Sequence, residues 1–383
     1  MITEVVVSCF KSLSYEKFKF SKFNCLIGIN GAGKSTTLQA IDFISQLMRG
    51  RVEEWLKERD WLMSELNKSN SSMFVSVAYQ SSNADKIAWM GLIKKHSLQC
   101  SIEKLAVNGN ILFDVEKGHY SIGEKSVKKP ITFNYQGSIL SQLRDSEIPA
   151  PILEFRNYLR QIRSLELLSP DLLRKRARST DTDIGTGGEK LSAFLHSIKG
   201  ENRDALIALL KTFYANLIDY KVSSQRSGWK KLVVIEQFGE KKLETEARHI
   251  NDGLLRILAI LAQASSDHSL ILLDEIENGI NPEIVEKLVD ALVNSKQQIL
   301  VTTHSPMILN YLEDDVARNS VQFVYKNDNG GTKIRPFFSI PRIGEKLNYM
   351  GAGEAFVDTD LIALTQECVA LDMKELEEKE QSK

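Results

Sequence analysis

"GINGAGKST", Gly28 to Thr36, decides how this chain is read. It fits G-x-x-x-x-G-K-[ST] and closes an apolar run, "FKFSKFNCLIGI" (18–29), that predicts a strand. A helix is predicted from Ser35 onward, where Leu38, Ile41, Ile44 and Met48 share one side. Strand, glycine turn and helix are the context in which this pattern binds phosphate. Gly28, Gly31 and Gly33 let the backbone wrap closely, so that its N–H groups face phosphate oxygens. Asn30, Ala32 and Thr36 complete the loop. Lys34 is the residue expected to reach the β- and γ-phosphates, and Ser35 the one expected to ligate Mg²⁺. The positive end of the following helix points at the same anion.

Phosphoryl transfer also needs a metal ligand and a group that positions water. In "SLILLDEIENG" (269–279) an apolar run delivers Asp274 and Glu275 at a strand end, where α/β sheets place ligands. Asp274 is the expected partner of Ser35 at the metal, and Glu275 the group that polarises the attacking water. "QILVTTHSP" (298–306) repeats the pattern one strand later, with His304 at its end and a γ-phosphate within its expected reach. Between loop and acids lies "RHINDGLLRILAILAQ" (248–263). It predicts a helix behind Asn251, Asp252 and Gly253, with Leu254, Ile257, Leu258 and Leu261 as its buried stripe.

These segments, in this order, resemble the ABC-type ATPase heads of the RecF, SMC and overcoming-lysogeny-defect (OLD) group. Gly28–Ser35 matches Walker A, Asn251–Gly253 the signature, Leu270–Glu275 Walker B, "ENGINP" (277–282) the D-loop and His304 the switch histidine. "FKSL" (10–13) is similar to the group's opening strand, which implies that Lys11 and Ser12 lie near the nucleotide. "ELLSPDLLRKRAR" (166–178) and "GGEKLSAFLHSI" (187–198) resemble the middle of OLD-like prokaryotic ATPases, many of which act in phage defence.

The resemblance implies an α/β fold: a P-loop ABC-type ATPase head with a mixed β-sheet lobe, a helical insertion and no long coiled coil. It implies ATP and Mg²⁺ as ligands, Lys34, Glu275 and His304 as catalytic residues, and a head-to-head homodimer in which each signature faces the partner's phosphate loop. The chain divides on this reading into lobe I (1–137) with Walker A and a β insertion, a helical insertion or lid (138–228), lobe II (229–340), and a C-terminal extension (341–383). Within the β insertion "VNGNIL" (107–112) predicts a hairpin, and "VKKPITFNYQG" (127–137) one more strand. "ILEFRNYLRQIRSLELL" (152–168) reads as a helix, "RARSTDTDIGTGG" (176–188) as a polar loop, and the last residues as a charged helix or frayed tail.

Three features depart from the group. Asn251 stands where the signature usually has serine, and the carboxylate of Asp252 would repel an incoming phosphate. The D-loop carries Asn278 and Asn281 in place of aspartate. The stretch after His304 is too short for the Toprim nuclease domain of OLD nucleases, which points to a separate effector protein such as a nuclease. Glu354, Asp358 and Asp360 crowd into one segment and read as a solvated turn or interaction surface, because metal nuclease chemistry needs carboxylates from different strand ends.

The bulk numbers narrow the classes further. With 43% hydrophobic and 26% charged residues the chain is ordinary for a globular protein, and its net charge of −1 draws it to neither nucleic acid nor anionic membrane. Cys9, Cys25, Cys100 and Cys368 lie far apart, which fits a reducing compartment better than a zinc or disulfide framework. No apolar run suggests a membrane helix and the N-terminus does not read as a signal peptide, so the cytoplasm is the expected location.

Other features carry alternatives. Arg174, Lys175, Arg176 and Arg178, with Arg156, Arg160 and Arg163 nearby in sequence, suit a DNA backbone, a partner's acidic face or a solvated helix end. Gln136 in "NYQGSIL" (134–140) is the candidate metal-contacting glutamine, with Gln80 as its competitor. Trp55 and Trp61 in "RVEEWLKERDWLMSEL" (51–66) are expected to pack on the core. Three functions therefore stand: an ATPase that dimerises on ATP and controls a partner effector in antiphage defence, a RecF-like DNA repair or maintenance clamp, and an ATP-bound scaffold with little turnover. A transporter subunit fits neither the insertions nor the Asn-Asp-Gly signature.

Overall fold

The structure, a computed structural model, describes residues 1–67, 72–94, 96–124, 127–178 and 183–381. Two compact units account for them: Met1–Ile162 with Glu313–Lys383, and Arg163–Leu312.

The first unit opens with β1 (Ile2–Phe10), β2 (Leu13–Lys19) and β3 (Phe23–Ile27), and β3 is buried along its whole length. α1 (Lys34–Arg49) follows and ends in a left-handed Gly50 that caps back to Gln46. α2 (Val52–Glu58) and α3 (Met63–Leu66) follow as two separate helices. The break comes at Asp60, whose φ of 53° no helix continues through. Trp55 is buried against Phe43, as expected, whereas Trp61 is half-buried with the Lys11 ammonium 3.1 Å from its ring centroid.

An antiparallel run then builds outward through β4 (Met73–Gln80), β5 (Lys86–Ile93), β6 (Cys100–Val107), β7 (Asn110–Glu116), β8 (His119–Ile122) and β9 (Lys129–Pro130). The "VNGNIL" hairpin forms where expected, with Asn108 and Gly109 both at positive φ. "VKKPITFNYQG" supplies only the two residues of β9. α4 (Ala150–Arg160) stops short of the predicted helix, and β10 (Ile162–Ser164) follows at the boundary between the units.

The second unit begins with α5 (Pro170–Leu173), α6 (Leu191–Ser197) and α7 (Gly200–Phe213). The polar loop of 176–188 falls here, and its residues 179–182 lie outside those described. β11 (Leu217–Ser224), β12 (Lys230–Phe238) and β13 (Lys241–Glu246) form an antiparallel three-stranded sheet. α8 (Asp252–Ala264) is buried on most of its surface and not only along one stripe. β14 (Leu270–Leu273) and β15 (Gln298–Thr302) pair in parallel and carry no exposed position. α9 (Pro282–Val293) lies between them in sequence, and α10 (Pro306–Asn310) follows.

α11 (Asp314–Ser320), β16 (Val321–Lys326), β17 (Thr332–Pro336), α12 (Pro341–Lys346), α13 (Ala352–Val357) and α14 (Leu361–Gln381) return to the first unit. Its strands run in the order β3, β16, β17, β2, β1 and β4 to β9. β16 lies parallel to β3, β17 lies parallel to β2, and the remaining pairs are antiparallel. This is a mixed α/β P-loop ATPase fold with helical insertions. Among the described residues there is no long coiled coil, and no helix is long and apolar enough to cross a membrane.

Candidate functional site

β3 delivers the glycine loop of the first unit. Gly28, Gly31 and Gly33 all hold positive φ, at 148°, 76° and 114°. Two of them also meet a wall. A Cβ on Gly28 would lie 2.1 Å from the Val324 carbonyl oxygen, and one on Gly33 would lie 2.1 Å from the Thr332 hydroxyl. Glycine is therefore required there by space as well as by dihedral angle. Gly33 is the N-cap of α1 and has no side chain to cover the first turn, so the helix N-terminus stays open to an anion. The Lys34 ammonium donates to the carbonyl oxygens of Gly28 at 2.9 Å and Ile29 at 3.2 Å, so it curls over the loop. Asn30 and Gly31 are exposed at the rim, Ala32 is buried, and Ser35 and Thr36 are half-exposed at the start of α1.

Thr332 buttresses the loop from behind. Its hydroxyl donates to the Ala32 carbonyl oxygen at 2.8 Å and lies 2.7 Å from the Ser12 hydroxyl. The Lys326 ammonium donates to the same oxygen at 2.9 Å. Ser12 is thereby tied to the loop through Thr332. Lys11 reaches further along α1 and donates to Gln39 at 2.8 Å. Gln136 is not brought to this end of the helix. Its neighbour Gly137 packs against the Leu47 backbone, and 12 residues of helix separate Leu47 from Ser35, a rise of about 18 Å. The Gln136 amide instead engages Glu53, accepting from its backbone N–H at 3.0 Å and donating to its carboxylate at 2.9 Å. A metal contact shared with Ser35 is excluded by that distance. Gln80 ends β4, with its N–H on the Met1 carbonyl oxygen.

In the second unit β14 brings Asp274 and Glu275 to the surface. Glu275 holds a φ of 46°, in the left-handed region that side chains other than glycine rarely adopt. Thr302, the last residue of β15, fixes it there. Its hydroxyl accepts the Glu275 N–H at 2.8 Å and donates to the Asp274 carboxylate. Arg256 on α8 braces the same turn, donating to the carbonyl oxygens of Asp274 at 2.9 Å and Glu275 at 3.0 Å. Burial holds the Arg256 guanidinium below its usual pKa, while the acidic groups of Glu275, Asp274 and Glu277 pull it back up. The ring of His304 stands 3.7 Å from the Glu275 carboxylate, and its backbone N–H donates to Glu277 at 2.9 Å.

The signature has its own order. Asn251 is the N-cap of α8, and its side chain accepts the Leu254 N–H at 2.8 Å. Asp252 is the first residue of the helix. Arg174 takes its carboxylate and also donates to the Ile250 carbonyl oxygen at 2.8 Å. Gly253 is fixed by space, since a Cβ there would sit 2.9 Å from the Gly279 carbonyl oxygen of the D-loop.

With loop and strand ends in place, comparison with known proteins assigns the class. Residues 1–165 match the family described as "AAA ATPase domain", and residues 131–310 the family described as "AAA domain, putative AbiEii toxin, Type IV TA system". The chain carries an AAA-type ATPase domain. No curated protein matches it. Among solved structures, an SmcHead bound to the C-winged helix domain of ScpA is 14% identical with a TM-score of 0.56, covering 87% of this chain and 96% of that one. An Smc head with an extended coiled coil, bound to the C-terminal domain of ScpA and derived from Pyrococcus furiosus, is 12% identical with a TM-score of 0.53, covering 91% and 99%. At these identities the likeness is one of fold.

Most of the basic and acidic residues singled out in the sequence are engaged within the protein. Arg174 holds Asp252, Arg176 holds Glu246 at 2.6 Å, and Arg178 stacks 5.0 Å from the Trp229 ring, while Lys175 is exposed. Arg156 is buried on the carbonyl oxygens of Leu140 and Leu143 and on Asp145, Arg160 on those of Met48 and Ser141, and Arg163 pairs with Asp183. Glu354 accepts the Gly351 N–H, Asp358 pairs with the buried Lys346, and Asp360 accepts the N–H groups of Ile362 and Ala363. No cluster of three or more acids, histidines and cysteines placed to hold a metal occurs among the described residues.

The sequence reading missed Thr302, Thr332 and Arg256. Thr302 had a signal, since it lies two residues before His304 at the end of the same strand.

Proposed function

We propose that this chain binds ATP at Gly28–Thr36, hydrolyses it, and dimerises head-to-head on the nucleotide so that Asn251–Gly253 of each protomer closes on the partner's phosphates. The bond network of Thr302 carries the hydrolytic reading. It holds Glu275 in a costly backbone conformation beside Asp274, with His304 next to the carboxylate. Such a backbone persists only where its surroundings enforce it, and such sites cluster where chemistry is done. Lys34 meets the phosphates, Glu275 orients the attacking water, and His304 donates to the γ-phosphate. The hydroxyl of Ser35 and the carboxylate of Asp274 are hard oxygen donors of the kind Mg²⁺ takes. When bound, the ion neutralises phosphate charge.

Partner control follows from this cycle. One matched family description names a putative toxin of a Type IV toxin–antitoxin system, and both Smc heads are bound to ScpA domains. These descriptions support control of a partner, and the resemblance of 166–178 and 187–198 to OLD-like ATPases supports a closed dimer that engages a separate effector in defence against phage. The DNA-clamp reading has less support, because three of its four basic side chains are already engaged. The test is sedimentation of Glu275→Gln with and without ATP. ATP is expected to shift the protein to a larger, nucleotide-trapped assembly, and a protein whose association state is unchanged with ATP bound overturns the sandwich. Lys34→Ala is expected to lose ATP binding.

A further inference from the structure

β13 is an edge strand. It pairs with β12 on one side, and among the described residues no backbone hydrogen bond leaves its outer side. Lys241, Lys242, Leu243 and Glu244 are all exposed. The register with β12 places Leu243 opposite Glu236 and Lys241 opposite Phe238, so Leu243 and Phe238 share one face of the sheet. Both are large apolar side chains left open, Leu243 at 43% and Phe238 at 50%. Lys242 and Glu244 project from the other face.

An exposed edge invites strand addition, and proteins usually block it with charges of one sign that repel a second copy. This edge does the reverse. Its sequence, "KKLETE", places lysines before Leu243 and glutamates after it. Turned antiparallel on itself with Leu243 opposite Leu243, it sets each Lys242 against the Glu244 of the other copy. The same register joins Leu243 and Phe238 of both copies into one apolar strip across the sheet. The cross-strand Lys221–Glu244 pair does not remove Glu244 from this role, since both side chains are more than half exposed.

We propose that β13 is a homotypic interface, independent of nucleotide, at which a second copy of this chain adds antiparallel through Lys241–Thr245 to make a continuous six-stranded sheet. Main-chain hydrogen bonds hold the pair, and two Lys242–Glu244 contacts set the register.

The experiment is sedimentation equilibrium of the full chain without nucleotide. Wild type is expected to show a reversible monomer–dimer equilibrium. Lys242→Glu and Glu244→Lys each place like charges opposite in both contacts, and each is expected to weaken association by about ten-fold or more. An equimolar mixture of the two variants restores opposite charges in both contacts, so it is expected to form a heterodimer of near wild-type strength. That rescue separates the register from any loss of folding. A wild type that stays monomeric overturns the proposal. So does a mixture no more associated than its components, or single variants that dimerise as wild type does.

Discussion

Thr302 hydrogen-bonds the carboxylate of Asp274, and with the same oxygen it accepts the N–H of the next residue, Glu275. One hydroxyl at the end of β15 thus orients the two acids that end β14. Thr302→Val keeps the shape of the side chain and removes both bonds, whereas Thr302→Ser keeps them. ATP turnover in Thr302→Val is expected to fall about 10²-fold through misplacement of the acids. Stability is expected to drop by about 1–3 kcal/mol from the unsatisfied groups. Thr302→Ser should stay near wild type in both. Steady-state phosphate release and urea unfolding check this, and a Val variant with wild-type turnover would show that the bridge does not position the acids.

The left-handed Glu275 gives a prediction whose sign is independent of catalysis. In ordinary backbone, glycine is less stable than alanine by roughly 0.5–1 kcal/mol. At a φ of 46° the order reverses, because alanine bears the Cβ clash that glycine avoids. Glu275→Gly is therefore expected to be more stable than Glu275→Ala by about 1 kcal/mol, while neither hydrolyses ATP. Denaturant unfolding of the two variants decides it.

What the sequence disclosed follows from how local each constraint is. Gly28, Gly31, Gly33 and Lys34 were legible because the turn that needs them is built from adjacent residues. Thr332 was not, because its hydroxyl reaches Ala32 across 300 positions and nothing near "NGGTKI" marks it. The basic run at 174–178 looked like one surface, yet each arginine there is set by a partner far along the chain, Arg174 by Asp252 at a separation of 78. Gln136 failed for a geometric reason: its segment packs at the far end of α1, and helix length is invisible to motif matching. The α4 helix was extended too far because "YLRQIRSLELL" keeps a helical spacing of apolar residues through the short strand β10.

The Arg174–Asp252 pair resolves the problem of a carboxylate at the signature. In the proposed sandwich, Arg174 neutralises the charge that would otherwise repel the partner's phosphate. Arg174→Ala is expected to weaken ATP-induced dimerisation by roughly ten-fold, since like charges then face one another across the closing interface. Adding Asp252→Asn removes the uncompensated carboxylate and is expected to restore most of the loss. Light scattering with Glu275→Gln as background measures both. An equal defect in the double variant would assign Arg174 a contact other than Asp252.

A buried acid in the first unit sets a pH dependence. Glu103 on β6 is fully buried and accepts the Trp89 indole N–H at 3.1 Å, the Ile139 N–H at 2.8 Å and the Ser138 hydroxyl. Burial pushes its pKa up from 4.5 to about 7, against the opposing pull of these hydrogen bonds. The folded state therefore holds a proton that the unfolded chain has released between those two values. Stability from this group is full below pH 4.5 and is lost as pH rises to about 7, by an amount of order 3 kcal/mol. Glu103→Gln has no proton to lose, and the cost of setting its amide against the Trp89 indole N–H, which donates to the same oxygen as Ser138, is independent of pH. The difference in unfolding free energy between the variant and wild type is expected to grow in the variant's favour from pH 5 to pH 8. Urea titrations at those two values measure it. A constant difference would mean that Glu103 is charged in the folded state as it is in the unfolded chain.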